Sequence, residues 1–158
     1  MTLTIAQLQD RVERLASEPE RWADLIQHDQ RQRTYALLHE DADLSVWLLC
    51  WSEDQDTGFH DHDASAAAIT VISGNVREDR MRLGGEPASR TYGAGETVTI
   101  PPSAIHRVLH AGDGPAVTIH AYSPPLERTG AYELGPDGEL LRIAQNGNEE
   151  LRGELAAV

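Results

Sequence analysis

The sequence has 158 residues, with 26 acidic and 13 basic side chains and a formal net charge of −13. All 13 basic residues are arginines, which excludes a Schiff-base lysine, a pyridoxal phosphate anchor and a Walker-type phosphate lysine. The acidic balance argues against a nucleic-acid or anionic-membrane surface, the single cysteine (Cys50) excludes an intramolecular disulfide, and there is no apolar run long enough to span a membrane.

The length fits one domain over 1–158: a helical cap (1–30), a β-barrel (31–145) and a polar tail (146–158). One cysteine and an N-terminus unlike a signal peptide predict a cytoplasmic protein, a monomer or small homo-oligomer. Residues 4–28 read as helical. Ile5, Leu8, Val12 and Leu15 recur at three- and four-residue spacing behind Thr4, a capping residue. Pro19 marks a second helical start with Trp22, Leu25 and Ile26 as its apolar face, and His28 falls at its C-terminal end.

After His28 the period changes. Strands are predicted at 33–39, 43–51, 65–74 running on into NVREDRM, 89–93, 96–100, 106–111, 116–123, 131–134 and 139–143. Glycine and proline pairs separate them, the pattern of an all-β sandwich or barrel. The second strand is too apolar to have a wet face.

Seven histidines stand at 28, 39, 60, 62, 106, 110 and 120. His60 and His62 form His-Asp-His, and in an extended segment both rings face the same side. That is half of a metal site, or else two surface histidines in an acidic loop. Thr118, His120 and Tyr122 are also two apart, so a hydroxyl, an imidazole and a phenol share one face of a strand whose other face, Val117, Ile119 and Ala121, is apolar.

His-x-His followed by a strand and Gly74, then Gly95-x5-Pro101-x4-His106, resembles the two motifs of the cupin superfamily. The resemblance implies a double-stranded β-helix (jelly-roll) barrel with N-terminal helices, and His60, His62 and His106 as metal ligands. Most metal cupins add a Glu three to five residues after His-x-His. Here those positions are Ser65, Ala66 and Ala67, so the ligand set is three neutral imidazoles with open positions, which suits Fe(II).

A narrower likeness lies in HRVLHAGDGPAVTIHAYSPPLE (106–127) and LLCWSEDQDTGFHDH (48–62), which resemble the thiol dioxygenase (cysteine dioxygenase-like) family of bacterial type. The resemblance implies an Fe(II) enzyme that oxidises a small thiol to its sulfinic acid with O₂. Tyr122, oriented by His120 and Thr118, would act on the bound species, and Trp51 matches the family's tryptophan. Mammalian members cross-link the tyrosine to a cysteine whose position here is Ala67, and Cys50 reads as a buried, inert thiol. The family's Tyr-x-Arg, which clamps a substrate carboxylate, matches Tyr35-Ala36-Leu37, with Arg33 on the other side of the tyrosine. Arg33, Tyr35 and Leu37 are therefore the substrate-binding candidates. Arg107 points away from the metal, and Arg80 and Arg82 are further candidates for the substrate carboxylate, or else surface residues of an edge strand. Two alternatives stay open: a three-histidine iron oxygenase acting on another small molecule, and a non-enzymatic metal- or ligand-binding cupin.

Overall fold

The computed structural model describes residues 1–147, so the polar tail expected over 146–158 lies outside them from residue 148. Helix α1 (Ile5–Ala16) begins with a capping box: Gln7 N donates to Thr4 Oγ1 at 3.2 Å, and Thr4 N to Gln7 Oε1 at 2.9 Å. Its buried side chains, Leu8, Val12 and Leu15, are the predicted stripe. The second helix is not formed. Pro19–Arg21 and Ala23–Leu25 are single 3-10 turns. Trp22 breaks the run at φ −142° and sends its indole under α1, where Nε1 donates to Leu15 O at 3.0 Å. Leu25 and Ile26 are left exposed, and His28 lies in a loop instead of at a helix end.

Eleven strands follow among the described residues: β1 (Thr34–Glu40), β2 (Ser45–Trp51), β3 (His60–Asp61), β4 (Ala66–Ser73), β5 (Asn75–Arg80), β6 (Ala88–Gly93), β7 (Thr97–Ile100), β8 (His106–Ala111), β9 (Ala116–Ser123), β10 (Arg128–Leu134) and β11 (Leu140–Asn146). They form two antiparallel sheets, ordered β1-β2-β9-β4-β7 and β11-β10-β3-β8-β5-β6. This is the expected jelly roll, in which two sheets face each other across a core.

The five-stranded sheet is buried on both faces. Val46, Leu48, Cys50, Ala66, Ala68, Val117, Ile119 and Ala121 face outward and meet α1. Leu49, Trp51, Ala67, Ile69, Val71 and Tyr122 face inward and meet Val76, Tyr92 and Val108 of the second sheet. Two-sided burial explains why β2 and β9 read as continuous apolar runs. Gly74 makes the β4–β5 turn at φ +72°, and a Cβ there would sit 2.5 Å from Pro115 O, so this glycine cannot be replaced without moving the start of β9.

Strand β5 is interior to its sheet, between β8 and β6, so Arg80 is not on an edge strand. Alternation turns Glu78 and Arg80 inward, where they pair at 2.8 Å, and turns Arg77 and Asp79 outward. Asp79 is 2% exposed and accepts from Arg77 (2.9 Å), Ser89 (2.6 Å) and Arg107 (2.8 Å). Burial pushes its carboxyl up, but these donors outweigh it and hold the pKa at about 2.

The short strand β3 is clamped from the C-terminal hairpin. Asp61 accepts Arg142 Nε at 2.9 Å, Arg142 Nη2 at 3.0 Å and the Tyr132 hydroxyl at 2.5 Å. Arg142 reaches it by crossing Gly130, which pairs with Asp61 in the sheet. A Cβ at Gly130 would lie 2.2 Å from Arg142 Nε. Burial raises the Asp61 pKa and the Arg142 and Tyr132 contacts lower it further, with a net result well below the carboxylate range.

Gly130→Ala is expected to lever the guanidinium off Asp61 and to destabilise the fold by about 1–3 kcal/mol, the scale of a buried polar group left unsatisfied. Arg142→Gln removes the same contact, so the double variant should lose less than the sum of the singles in urea unfolding, and additive losses would contradict the clamp. For Asp79 the folded pKa lies below the ordinary 3.8, so its stabilisation is present above pH 4 and disappears between pH 4 and about 2. Asp79→Asn should cost about 2 kcal/mol at neutral pH, a gap that narrows in urea titrations at pH 3.

Candidate metal centre

Strand alternation puts His60 and His62 on the inner side of β3 and its extension, with Asp61 on the outer side. His106 opens β8 as the direct cross-strand partner of His60. All three are buried, and their ligand atoms lie within 4.8 Å of one another. His60 Nε2 is 3.0 Å and His106 Nε2 is 3.3 Å from His62 Nε2.

Two of these rings have their outer nitrogen occupied. His60 Nδ1 donates to Gly58 O at 3.0 Å, and His106 Nδ1 donates to Glu78 Oε2 at 2.9 Å. In a neutral imidazole the other nitrogen then carries a lone pair, so Nε2 of both rings is an acceptor aimed at the same point as His62 Nε2. Converging lone pairs repel unless a cation lies between them. A single ion with metal–nitrogen bonds of about 2.0–2.1 Å spaces its ligand nitrogens by about 3.0–3.4 Å. The donor set therefore fits a divalent metal.

Glu78 was not among the expected residues. The sequence motif directs attention to a carboxylate just after His-x-His, where Ser65, Ala66 and Ala67 stand. The structure brings one from β5 instead, to the far nitrogen of His106. The signal was present in β5, since Glu78 shares the inward parity of Val76. A carboxylate there orients the ring and raises its basicity.

On the opposite sheet Thr118, His120 and Tyr122 are fully buried in one row. Trp51 Nε1 donates to Thr118 Oγ1 at 2.9 Å, Thr118 Oγ1 lies 2.7 Å from His120 Nε2, and His120 Nδ1 lies 3.2 Å from the Tyr122 hydroxyl. Indole only donates, so Thr118 accepts from Trp51, and its hydroxyl offers His120 Nε2 either a hydrogen or its second lone pair. The tautomer of His120 sets the direction of the two contacts beyond Thr118. The Tyr122 ring meets His62 edge-on at 5.1 Å.

Of the expected substrate residues, Arg33 is 2% exposed, with its guanidinium 4.9 Å over the Trp51 ring and Nη1 donating to Asp56 O. Tyr35 is half-buried against Trp47, with ring centroids 5.7 Å apart. Leu37 is 47% exposed at a strand irregularity, opposite Trp47. Arg107 points outward to Asp79, its guanidinium 4.7 Å over Phe59. Cys50 is free and buried on the outward face, against the helix layer.

Among the described residues no helix is long and apolar enough to cross a membrane. Solved structures share the fold. A double-stranded β-helix protein from Klebsiella pneumoniae superposes with TM-score 0.57 at 18% identity, covering 65% of this chain and 80% of that one. A cupin superfamily protein from Desulfitobacterium hafniense gives TM-score 0.55 at 13% identity over 65% and 87%. Sequence relatives are more informative. Cysteine dioxygenase type 1 of Rattus norvegicus is 26% identical over 141 residues, 83% of this chain and 70% of the rat protein. That of Danio rerio is 24% identical over 143 residues, 84% and 71% respectively. The profile of the cysteine dioxygenase type I family matches residues 3–134, and with the three-histidine jelly roll in place this chain belongs to that family.

Proposed function

We propose that the protein is a mononuclear non-haem iron dioxygenase that oxidises a small thiol, cysteine or a relative of it, to its sulfinic acid. The observation that carries this reading is the convergence of three imidazole Nε2 atoms next to the hydroxyl-bearing ring of Tyr122. His60, His62 and His106 would hold the ion. Fe(II) there would supply a thiolate-binding, O₂-activating centre, with both oxygen atoms ending on sulfur.

The chain's own residues define the rest. Neutral histidines leave the ion its full positive charge, which favours the thiolate over the thiol. The contacts of Tyr122 with His120, of His120 with Thr118 and of Thr118 with Trp51 hold the phenol in place, so its hydroxyl is positioned before the substrate arrives. Ala67 is the cross-strand partner of Tyr122 and offers no thiol, so the tyrosine acts unmodified. Arg33, Tyr35 and Leu37 are the proposed substrate-binding residues, with Arg33 beside Trp51 and Leu37 four residues further along, on β1, beside Trp47. The exposed leucine at position 37 favours a second reading, in which the same chemistry serves a thiol that is not an amino acid.

Iron-loaded protein should consume O₂ with at least one of cysteine, 3-mercaptopropionate and cysteamine and release the sulfinate. His60→Ala should lose both metal and turnover. Absence of O₂ uptake with all three would contradict the proposal. Glu78→Gln keeps the shape but weakens the partner of His106, and metal affinity in chelator competition should fall by about 10–100-fold. Unchanged affinity would show that Glu78 serves only Arg80.

A further inference from the structure

His60 and His106 lean on outer partners of different charge. His60 Nδ1 donates to a neutral carbonyl, Gly58 O. His106 Nδ1 meets Oε2 of Glu78, a carboxylate only 5% exposed, at 2.9 Å. That same oxygen takes a second donor. Arg80 Nη2 lies 2.8 Å from Glu78 Oε2 and 2.9 Å from Thr99 O on the facing strand β7.

Register explains the meeting. Arg80 is the cross-strand partner of His106 in the β5–β8 pair, as His60 is in the β3–β8 pair. An arginine thus stands beside a candidate metal ligand, two residues from the carboxylate that the ligand uses. Its guanidinium lines a surface cleft with Glu78, Arg90, Tyr92 and Thr97, and none of the three histidines lines that cleft. This argues against Arg80 as the partner of a substrate carboxylate. Its effect on the site runs through Glu78.

One oxygen with two donors divides its charge between them. A carboxylate draws on the N–H of a ligating imidazole and raises its basicity as a ligand. A guanidinium on the same oxygen makes the stronger, charge-assisted bond, so less of that charge is left to act on His106. We propose that Arg80 is a positioning residue of the metal centre, which acts through Glu78 to restrain the donor strength of His106 toward the ion. The inference rests on the metal-holding part of the proposed function and not on the identity of the thiol.

The test is Zn(II) affinity by chelator competition at pH 8.5, about two units above the ordinary imidazole pKa. Arg80→Gln and Arg80→Met, which remove the charge, should bind Zn(II) roughly tenfold more tightly than the wild type, the opposite sign to Glu78→Gln. Arg80→Lys keeps a cation beside Glu78 and should return to the wild-type affinity. In the Zn(II)-loaded protein the His106 Nδ1–H proton should move downfield in Arg80→Gln, a shift that a merely structural role would not produce. Arg80→Gln combined with Glu78→Gln should bind as Glu78→Gln alone does. Unchanged or weaker affinity in both Arg80→Gln and Arg80→Met overturns the inference, and so does a proton that stays in place. Tightening that survives in the double variant overturns the route through Glu78. A wild type that holds Zn(II) but, loaded with iron, oxidises no thiol overturns the proposed activity and leaves this inference standing. A wild type that binds no Zn(II) overturns both.

Discussion

Alternation along a strand is the constraint on which the site depends, because it separates neighbours that differ in chemistry. His60 and His62 turn inward while Asp61 turns outward to Arg142. Glu78 turns inward to His106 while Asp79 turns outward to Arg77 and Arg107. Thr118, His120 and Tyr122 face the barrel while Ile119 and Ala121 pack on the helix layer. Each strand thus contributes a reactive face and an anchoring face. A slip of one residue in any pairing would exchange them.

In a very acidic chain, arginines compensate three carboxylates close to the histidines: Asp61 by Arg142 and Asp79 by two arginines on the outer face, and Glu78 by Arg80 on the inner face. Of the three histidines that could hold a metal, two have an acceptor at Nδ1, which leaves Nε2 its lone pair in the neutral ring. Buried pairs of this kind add little net stability, since desolvation offsets their attraction. Their effect is geometric. They hold β3, a strand only two residues long, between β8 and β10 at the register that makes His60 and His106 neighbours.

Features that depend on one strand alone were legible in the sequence. Most strand positions, the His-Asp-His pair, and the Thr118-His120-Tyr122 row follow from a two-residue period and from glycine and proline punctuation, while β3 was not expected as a strand and β10 begins three residues before its expected start. The motif likeness added His106. What the sequence concealed depends on which strands become neighbours. Glu78 meets His106 only because β5 pairs with β8, and Arg142 reaches Asp61 only because Gly130 lies between them with no side chain. Arg80 read as an edge residue because the order β8-β5-β6 is not written locally. The second helix failed for a different reason: Trp22 turns its indole under α1 to bond Leu15 O, which breaks the run and leaves Leu25 and Ile26 exposed.

The thirteen arginines and missing lysines acquire a specific meaning at Arg33. In an acidic protein a buried arginine needs compensation, and part of it comes from the face of Trp51 and the Asp56 carbonyl. A cation over an indole face draws density from the ring and strengthens its N–H as a donor. That N–H is the first link of the chain through Thr118 and His120 to Tyr122. Lysine could not take this place equally well, because its compact, strongly hydrated ammonium neither stacks on an indole nor loses water as readily. One guanidinium can therefore act on the row that ends at Tyr122 through the indole it stacks over, without touching the tyrosine.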